Sequence, residues 1–320
     1  MAIQKSLDKA IKFDKFGSSD VLELTEVSKP VLSRVQNILI KVISIGINPI
    51  DMKIREGSSF VSQSLTLPSG LGFDVCGEIV DIGNSISKFQ VGDIILGKIE
   101  DYTKPASYAE FCVVNESNII YKPKDLNSEQ PGALPTAGFT AWQALHKHGK
   151  VKSGERVLIH AGAGGVGHLA IQIALLSGAY VITTASKKHH QFLNKLGVNE
   201  IIDYREVPFN SVVKNIDLVI DLVGGEVGVQ SIDTLNSTGR IITVPTITRD
   251  LILEAASKKN ILASGMLAEN NKKYLTDLAK LIADDKITVL VSKSFPLSQA
   301  KEAHDLLGTK SVQGEIVLTV

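Results

Sequence analysis

The 320-residue chain has only two cysteines, Cys76 and Cys112. That is too few for a disulfide framework or a four-cysteine zinc site, and leaves two reduced, partly buried thiols as the expectation. No run of ~18 apolar residues is present to span a bilayer, and the start, MAIQKSLDKAIKFDKF, lacks the apolar core of a secretory signal. The expected location is therefore the cytosol. Charge of one sign is not in excess either: 34 Lys and Arg face 34 Asp and Glu with no basic block, so nothing marks the chain for nucleic acid or an anionic membrane. Internal repeats and low-complexity segments are absent. What remains, 44% hydrophobic and 21% charged, is ordinary for a soluble globular protein, and the length suggests two domains.

The chain is organised around residues 156–190, RVLIHAGAGGVGHLAIQIALLSGAYVITTASKKHH. Arg156 to Ala161 reads as a buried strand and runs into a full GxGxxG at Gly162, Gly164 and Gly167, with Gly165 and Val166 between. Val166, Leu169, Ala170, Ile173 and Ala174 then recur at helical spacing, giving a helix with a small apolar face. A glycine-rich turn alone also satisfies the pattern. Set between a strand and a helix, with a second strand at Tyr180 to Thr184, it reads as a dinucleotide loop whose pyrophosphate meets the helix N-terminus.

The end of that second strand lacks the Asp or Glu that usually accepts hydrogen bonds from an NAD ribose. The chain reads Thr184-Ala185-Ser186-Lys187-Lys188-His189-His190 instead. Hydroxyls followed by cations suit a 2′-phosphate, so the expected cofactor is NADPH, held by Ser186, Lys187 and His190. A polar helix start with solvated lysines would have the same sequence.

Before this segment, residues 1–122 carry short apolar runs (Val21 to Leu24, Ile38 to Ile45, Glu78 to Ile82, Asp93 to Leu96, Phe111 to Val114) separated by Gly, Pro, Asn and Ser clusters, the pattern of a β-rich domain. Ser128 to Leu145 reads as helical turns leading into residues 123–266, where strands and helices alternate. With strands at Glu200 to Asp203, Asp217 to Leu222, Arg240 to Val244 and Asn260 to Gly265, the expectation is a doubly wound α/β domain on a six-stranded parallel sheet. The tail, from Ile287, is expected to rejoin the first domain, so that 267–320 completes it.

Taken together, Gly46-Ile47-Asn48-Pro49-Ile50-Asp51, Leu71 to Val80, Val91-Gly92-Asp93, Ala133 to Leu145, the AGAGGVG loop and Gln313 to Leu318 resemble the medium-chain dehydrogenase/reductase superfamily, in particular its zinc-free quinone oxidoreductase and alkenal/enone reductase branch. The resemblance implies a GroES-like catalytic domain beside a Rossmann domain, and a homodimer. Zinc-dependent relatives place a cysteine ligand in the first block and Gly-His-Glu in the second. Here Asn48 and Phe73 stand at those positions, and neither can replace a thiolate or an imidazole on a catalytic zinc. The seven histidines, among them the pairs His146 with His148 and His189 with His190, show no ligand spacing and read as surface or cofactor-proximal.

The resemblance places Asn48, Asp51, Lys53 and Arg55 by the nicotinamide, with Asn48 as donor to a substrate carbonyl and Asp51 organising the loop. Relatives often carry tyrosine where Lys53 stands, and Asn-Pro is also a turn signal. It places Thr140 at the nicotinamide ribose and Tyr204 at the adenosine phosphate end. The implied activity is zinc-independent, NADPH-dependent reduction of a quinone or of the activated double bond of an α,β-unsaturated carbonyl. Enoyl-thioester reduction, and a NADPH-binding crystallin-like or sensor role with little turnover, are the alternatives.

Overall fold

The computed structural model describes residues 7–32, 35, 37–99, 101, 106–124, 126–127 and 129–320. The elements among them run β1 (Asp8–Lys12), β2 (Glu23–Val27), β3 (Asn37–Gly46), α1 (Pro49–Arg55), β4 (Asp74–Ile82), β5 (Ile94–Lys98), β6 (Phe111–Asn115), β7 (Ile119–Tyr121) and α2 (Gln130–Trp142). There follow β8 (Arg156–Ile159), α3 (Gly165–Leu176), β9 (Tyr180–Thr184), α4 (His190–Lys195), β10 (Glu200–Ile202), α5 (Phe209–Val212), β11 (Ile216–Asp221), α6 (Gly225–Ser231), β12 (Leu235–Thr243), α7 (Arg249–Lys258) and β13 (Leu262–Gly265). The chain ends with α8 (Lys272–Ala283), β14 (Val291–Pro296), α9 (Ala300–Gly308) and β15 (Glu315–Thr319). No helix among the described residues is long and apolar enough to cross a membrane.

Two compact units result: Met1–Thr136 with Asn270–Asp284 and Val291–Val320, and Ala137–Glu269 with Asp285–Leu290. In the first, a sheet of order β14-β15-β3-β4-β5-β7, with β6 also on β3, is antiparallel except for the β14–β15 pair. β3 is its centre. Its residues Ile38, Ile40, Val42 and Ile45 are buried with Ile79, Ile95 and Ile316 in one core. In the second unit the order β10-β9-β8-β11-β12-β13 is parallel throughout. Strands covered on both faces read as continuous apolar runs, and Val157-Leu158-Ile159 is fully buried. The expected mixed α/β architecture is present.

Some local expectations fall differently. Val21 to Leu24 is not one strand: Ser18 Oγ donates to Asp20 Oδ2 at 2.9 Å, and this polar side chain pairing accompanies a 3₁₀ turn at Ser19–Val21 before β2 begins. β12 starts five residues earlier than its apolar pattern indicates, because Leu235 to Gly239 includes half-exposed and exposed polar residues without periodicity. The helix through Ala133 begins at Gln130, and Ser128 lies outside the described residues. Residues 123–136 cluster with the β-rich unit and not with the parallel sheet, since Thr136 bonds Asp74 and a side chain at Gly132 would meet Ser44. The tail is divided as well: Asp285–Leu290 packs in the parallel-sheet unit. Cys76 and Cys112 are wholly buried, and burial pushes both thiols up to about 12, which leaves them inert at neutral pH.

Candidate functional site

Asn48 precedes Pro49, which restricts it to extended backbone (φ −118°, ψ 155°) and starts α1 in a favoured way. Asp51, three residues on, turns its Oδ2 back to accept the Asn48 backbone N–H at 2.8 Å. The loop-organising role expected of Asp51 is thus a helix cap. The Asn48 side chain donates through Nδ2 to Asp74 Oδ2 at 3.0 Å, and Asp74 also accepts from Thr136 N at 2.9 Å and Thr136 Oγ1 at 2.6 Å. Lys98 lies directly across from Asp74 in the β4–β5 pairing and is itself buried. Burial raises Asp74 from the usual carboxylate range and lifts Asp51 to about 8, while the nearby Lys98 ammonium pulls both down. Glu315 belongs to the same surroundings, pushed up to about 8 by burial and by Asp74.

Phe73, at the position of the imidazole ligand in zinc relatives, is wholly buried in the core. Among the described residues no group of three or more His, Cys, Asp or Glu could hold a metal ion. Lys53 is half-buried, its amine lowered by burial and by Lys310. Arg55 is not solvated: it is 4% exposed and donates from Nε to Gly17 O at 3.2 Å and from Nη2 to Glu56 at 2.6 Å. Asn48 and Asp51 are brought together, and Arg55 is buried.

In the second unit β8 delivers the glycine loop. A Cβ on Gly162 would sit 2.0 Å from Thr183 Oγ1, and one on Gly167 2.2 Å from the Ala161 carbonyl, so both positions require glycine for close packing. Gly164 differs. A Cβ there meets only Ala161 O, at 3.4 Å, just before the first turn of α3, formed by Gly165, Val166 and Gly167. Helix N-terminal amides beside unobstructed backbone fit a pyrophosphate. Strand order reverses between β8 and β11, the place where open parallel sheets take ligands. Thr140 lies buried in α2 of the same unit.

At the end of β9, Ser186 is buried, His190 Nε2 turns back to Ala185 O at 3.4 Å, and Tyr204 is exposed with the Arg205 guanidinium 5.8 Å from its ring centre. Acids missing from β9 arrive from the loop after β10. Asp203 Oδ2 accepts the Lys187 backbone N–H at 2.8 Å, and Glu206 Oε1 pairs with Lys187 Nζ at 3.2 Å. The end of β9 is therefore not free of acids, and Arg205 is a further cation beside it. Sequence spacing gave no sign of this, because the two loops meet only through the β9–β10 pairing.

Four histidines are interior, which corrects the surface half of their expected placement. His160 bonds Thr184 Oγ1 at 2.9 Å and Ser231 Oγ at 2.7 Å, and burial pushes it down to about 4. His168, also down to about 4, bonds the Gly164 carbonyl at 3.0 Å and accepts the Leu290 N–H at 3.1 Å. His189 and His304 are likewise buried. For His160, His168 and His304, two polar partners per ring satisfy an interior imidazole.

Comparisons with known proteins agree with this architecture. Residues 34–124 match the alcohol dehydrogenase GroES-like domain family, and residues 196–318 the zinc-binding dehydrogenase family. The quinone oxidoreductase of Coxiella burnetii is 46% identical over 98% of this chain and all of its own, with a TM-score of 0.95. The Escherichia coli quinone oxidoreductase, solved in complex with NADPH, is 27% identical with a TM-score of 0.88 over 98% of this chain and 100% of that one. NAD(P)H oxidoreductase RTN4IP1 of Dictyostelium discoideum is 30% identical, covering 97% of this chain and 99% of its own. With an asparagine and a phenylalanine where zinc relatives have ligands, and a Rossmann loop following a GroES-like unit, the chain belongs to the medium-chain dehydrogenase/reductase superfamily, in its zinc-free quinone oxidoreductase branch.

Proposed function

We propose that the protein is a NADPH-dependent, zinc-independent reductase acting on a quinone or on the activated double bond of an α,β-unsaturated carbonyl, with Asn48, Asp51 and Lys53 on the substrate side. The observation that carries this reading is the side-chain amide of Asn48. One of its N–H bonds goes to Asp74, which orients the amide and leaves the second N–H to donate. Bound NADPH would supply a hydride. Addition at the β-carbon spreads the developing charge into an enolate, which hydrogen-bond donors stabilise, whereas attack on an isolated carbonyl builds a localised alkoxide that calls for a metal. The α-carbon then takes a proton from solvent. Thr140, Gly162, Gly164, Gly165, Val166 and Gly167 would hold the cofactor, with Ser186, Lys187, His190 and Tyr204 at its adenosine end. We also propose a homodimer, to be read from sedimentation.

Reduction of an enone with 4-deuterated NADPH tests the reaction. The label is expected on the β-carbon with the carbonyl intact; label on the carbonyl carbon of an allylic alcohol would exclude conjugate addition. Running quinones, 2-alkenals and enoyl thioesters in parallel sets the substrate class, and tight NADPH binding without turnover on any of them would favour the sensor role.

Cofactor choice is tested separately. A charge-assisted contact contributes about 1.5–3 kcal/mol when sheltered, and less at exposed sites such as Lys187, so NADPH should bind about three to ten times more tightly than NADH. Lys187→Ala should narrow that ratio. Glu206→Gln, which releases the Lys187 ammonium, should widen it. Equal dissociation constants for the two cofactors in the unmodified protein would remove the NADPH preference.

A further inference from the structure

Four buried side chains of the first unit, remote in sequence, form a chain of contacts whose polarity can be deduced. Arg55 Nη1 lies 3.3 Å from His304 Nδ1, His304 Nε2 lies 3.2 Å from the Tyr108 hydroxyl, and that hydroxyl lies 3.4 Å from Asp51 Oδ2. Arg55, Tyr108, His304 and Asp51 are each at most 4% exposed.

A guanidinium only donates, so His304 Nδ1 must accept and the ring proton must sit on Nε2. That N–H donates to the tyrosine oxygen, which leaves the phenolic hydrogen for Asp51 Oδ2. Every bond then points the same way, toward the carboxyl. Burial and the adjacent Arg55 push His304 down to about 3, and burial holds Tyr108 well above its ordinary value, so neither group changes its proton near neutral pH. Asp51 Oδ2 receives two donors, Tyr108 and the Asn48 backbone, while its Oδ1 is buried without a hydrogen-bond partner among the described residues. The carboxyl is therefore held by one oxygen only, and its rotation is set by Tyr108 from one side and Asn48 from the other.

We propose that Arg55, His304 and Tyr108 form a one-directional hydrogen-bond relay that fixes the Asp51 carboxyl and, through it, the backbone of Asn48, making them positioning residues for the amide that meets the substrate. Its kinetic consequence rests on the reductase reading; its polarity does not. His304 is on α9 and Arg55 on α1, so the relay also ties the substrate-side helix to the C-terminal helix. Two polar links between helices would stabilise the fold in any case, so the test must separate positioning from stability.

Glutamine has an oxygen and an amide that reproduce the acceptor and donor of an Nε2–H imidazole, whereas leucine has neither. In the full-length protein, Tyr108→Phe and His304→Leu are expected to lower kcat about tenfold, with the NADPH dissociation constant and the substrate KM within about twofold, and His304→Gln to return kcat to within about threefold of the unmodified enzyme. Nitrogen-15 spectra of histidine-labelled protein, with the His304 signals identified by their loss in His304→Gln, should show a protonated Nε2 and a bare Nδ1. An Nδ1–H tautomer or an imidazolium overturns the relay even where a variant does not fold. So does unchanged kcat in Tyr108→Phe, or equal losses in the glutamine and leucine variants. If the unmodified protein turns over none of the substrates, the reductase reading fails while the tautomer still decides the relay.

Discussion

Asn48→Ala is expected to lower turnover by about 10²–10³, the range for removing one preorganised donor to a developing oxyanion, while NADPH affinity changes by less than about twofold. The size follows from the proposed reaction: in a zinc-free reductase, hydrogen bonds would carry the stabilisation of the enolate or hydroquinone oxygen. The variant also takes one of three donors from the buried Asp74 carboxyl, so a stability loss of about 1–3 kcal/mol should accompany the kinetic one. Thr136→Val separates the two effects. It removes the Thr136 Oγ1 donor to Asp74 without touching Asn48, and should cost stability with turnover nearly intact. Wild-type turnover in Asn48→Ala would withdraw the donor role from that residue; a matching loss in Thr136→Val would assign the effect to Asp74 instead.

Two glycine variants should have opposite signatures. In Gly164→Ala the new methyl meets only Ala161 O, at 3.4 Å, and φ is an ordinary −78°, so the melting temperature should hardly move. The same methyl enters the space assigned to the pyrophosphate, and NADPH affinity should fall about a hundredfold, equivalent to about 2.7 kcal/mol. In Gly167→Ala the methyl would lie 2.2 Å from the Ala161 carbonyl and 2.8 Å from Gly162 Cα. Backbone on both sides has to shift, so about 1–3 kcal/mol or more of stability is lost along with binding. Differential scanning calorimetry and cofactor titration of both proteins check this; unchanged NADPH affinity in Gly164→Ala would move the pyrophosphate elsewhere.

The architecture was legible because it rests on short-range patterns. Val157 to Ile159, the three glycines and the small face of α3 lie within 20 residues, as a buried apolar run, a tight-turn spacing and a helical period. On the proposed substrate side, the helix start Asn48-Pro49-Ile50-Asp51, which caps itself, was legible. Its outer partners were not. Lys98 closes an apolar strand in which nothing marks it as facing Asp74; that fact belongs to the β4–β5 register. His304 sits in an amphipathic helix and looks like any polar residue there until α9 is placed against α1. The same holds for Glu206, which reaches Lys187 from another loop. Interior histidines are hidden from sequence reading in general, because an imidazole with two hydrogen bonds is as acceptable inside as out.

The hexapeptide Asp285–Leu290 is clasped to α3: Gln172 bonds Thr288 through both ends of its amide, at 3.0 and 2.8 Å, and His168 receives the Leu290 N–H. Residues on either side of it belong to the other unit. A gene segment cut to encode 137–269 would therefore leave its own clasp behind and expose the ring that braces the Gly164 carbonyl. Grafting this parallel-sheet unit onto another partner requires two separate stretches of coding sequence, and recombination at a single junction cannot deliver it.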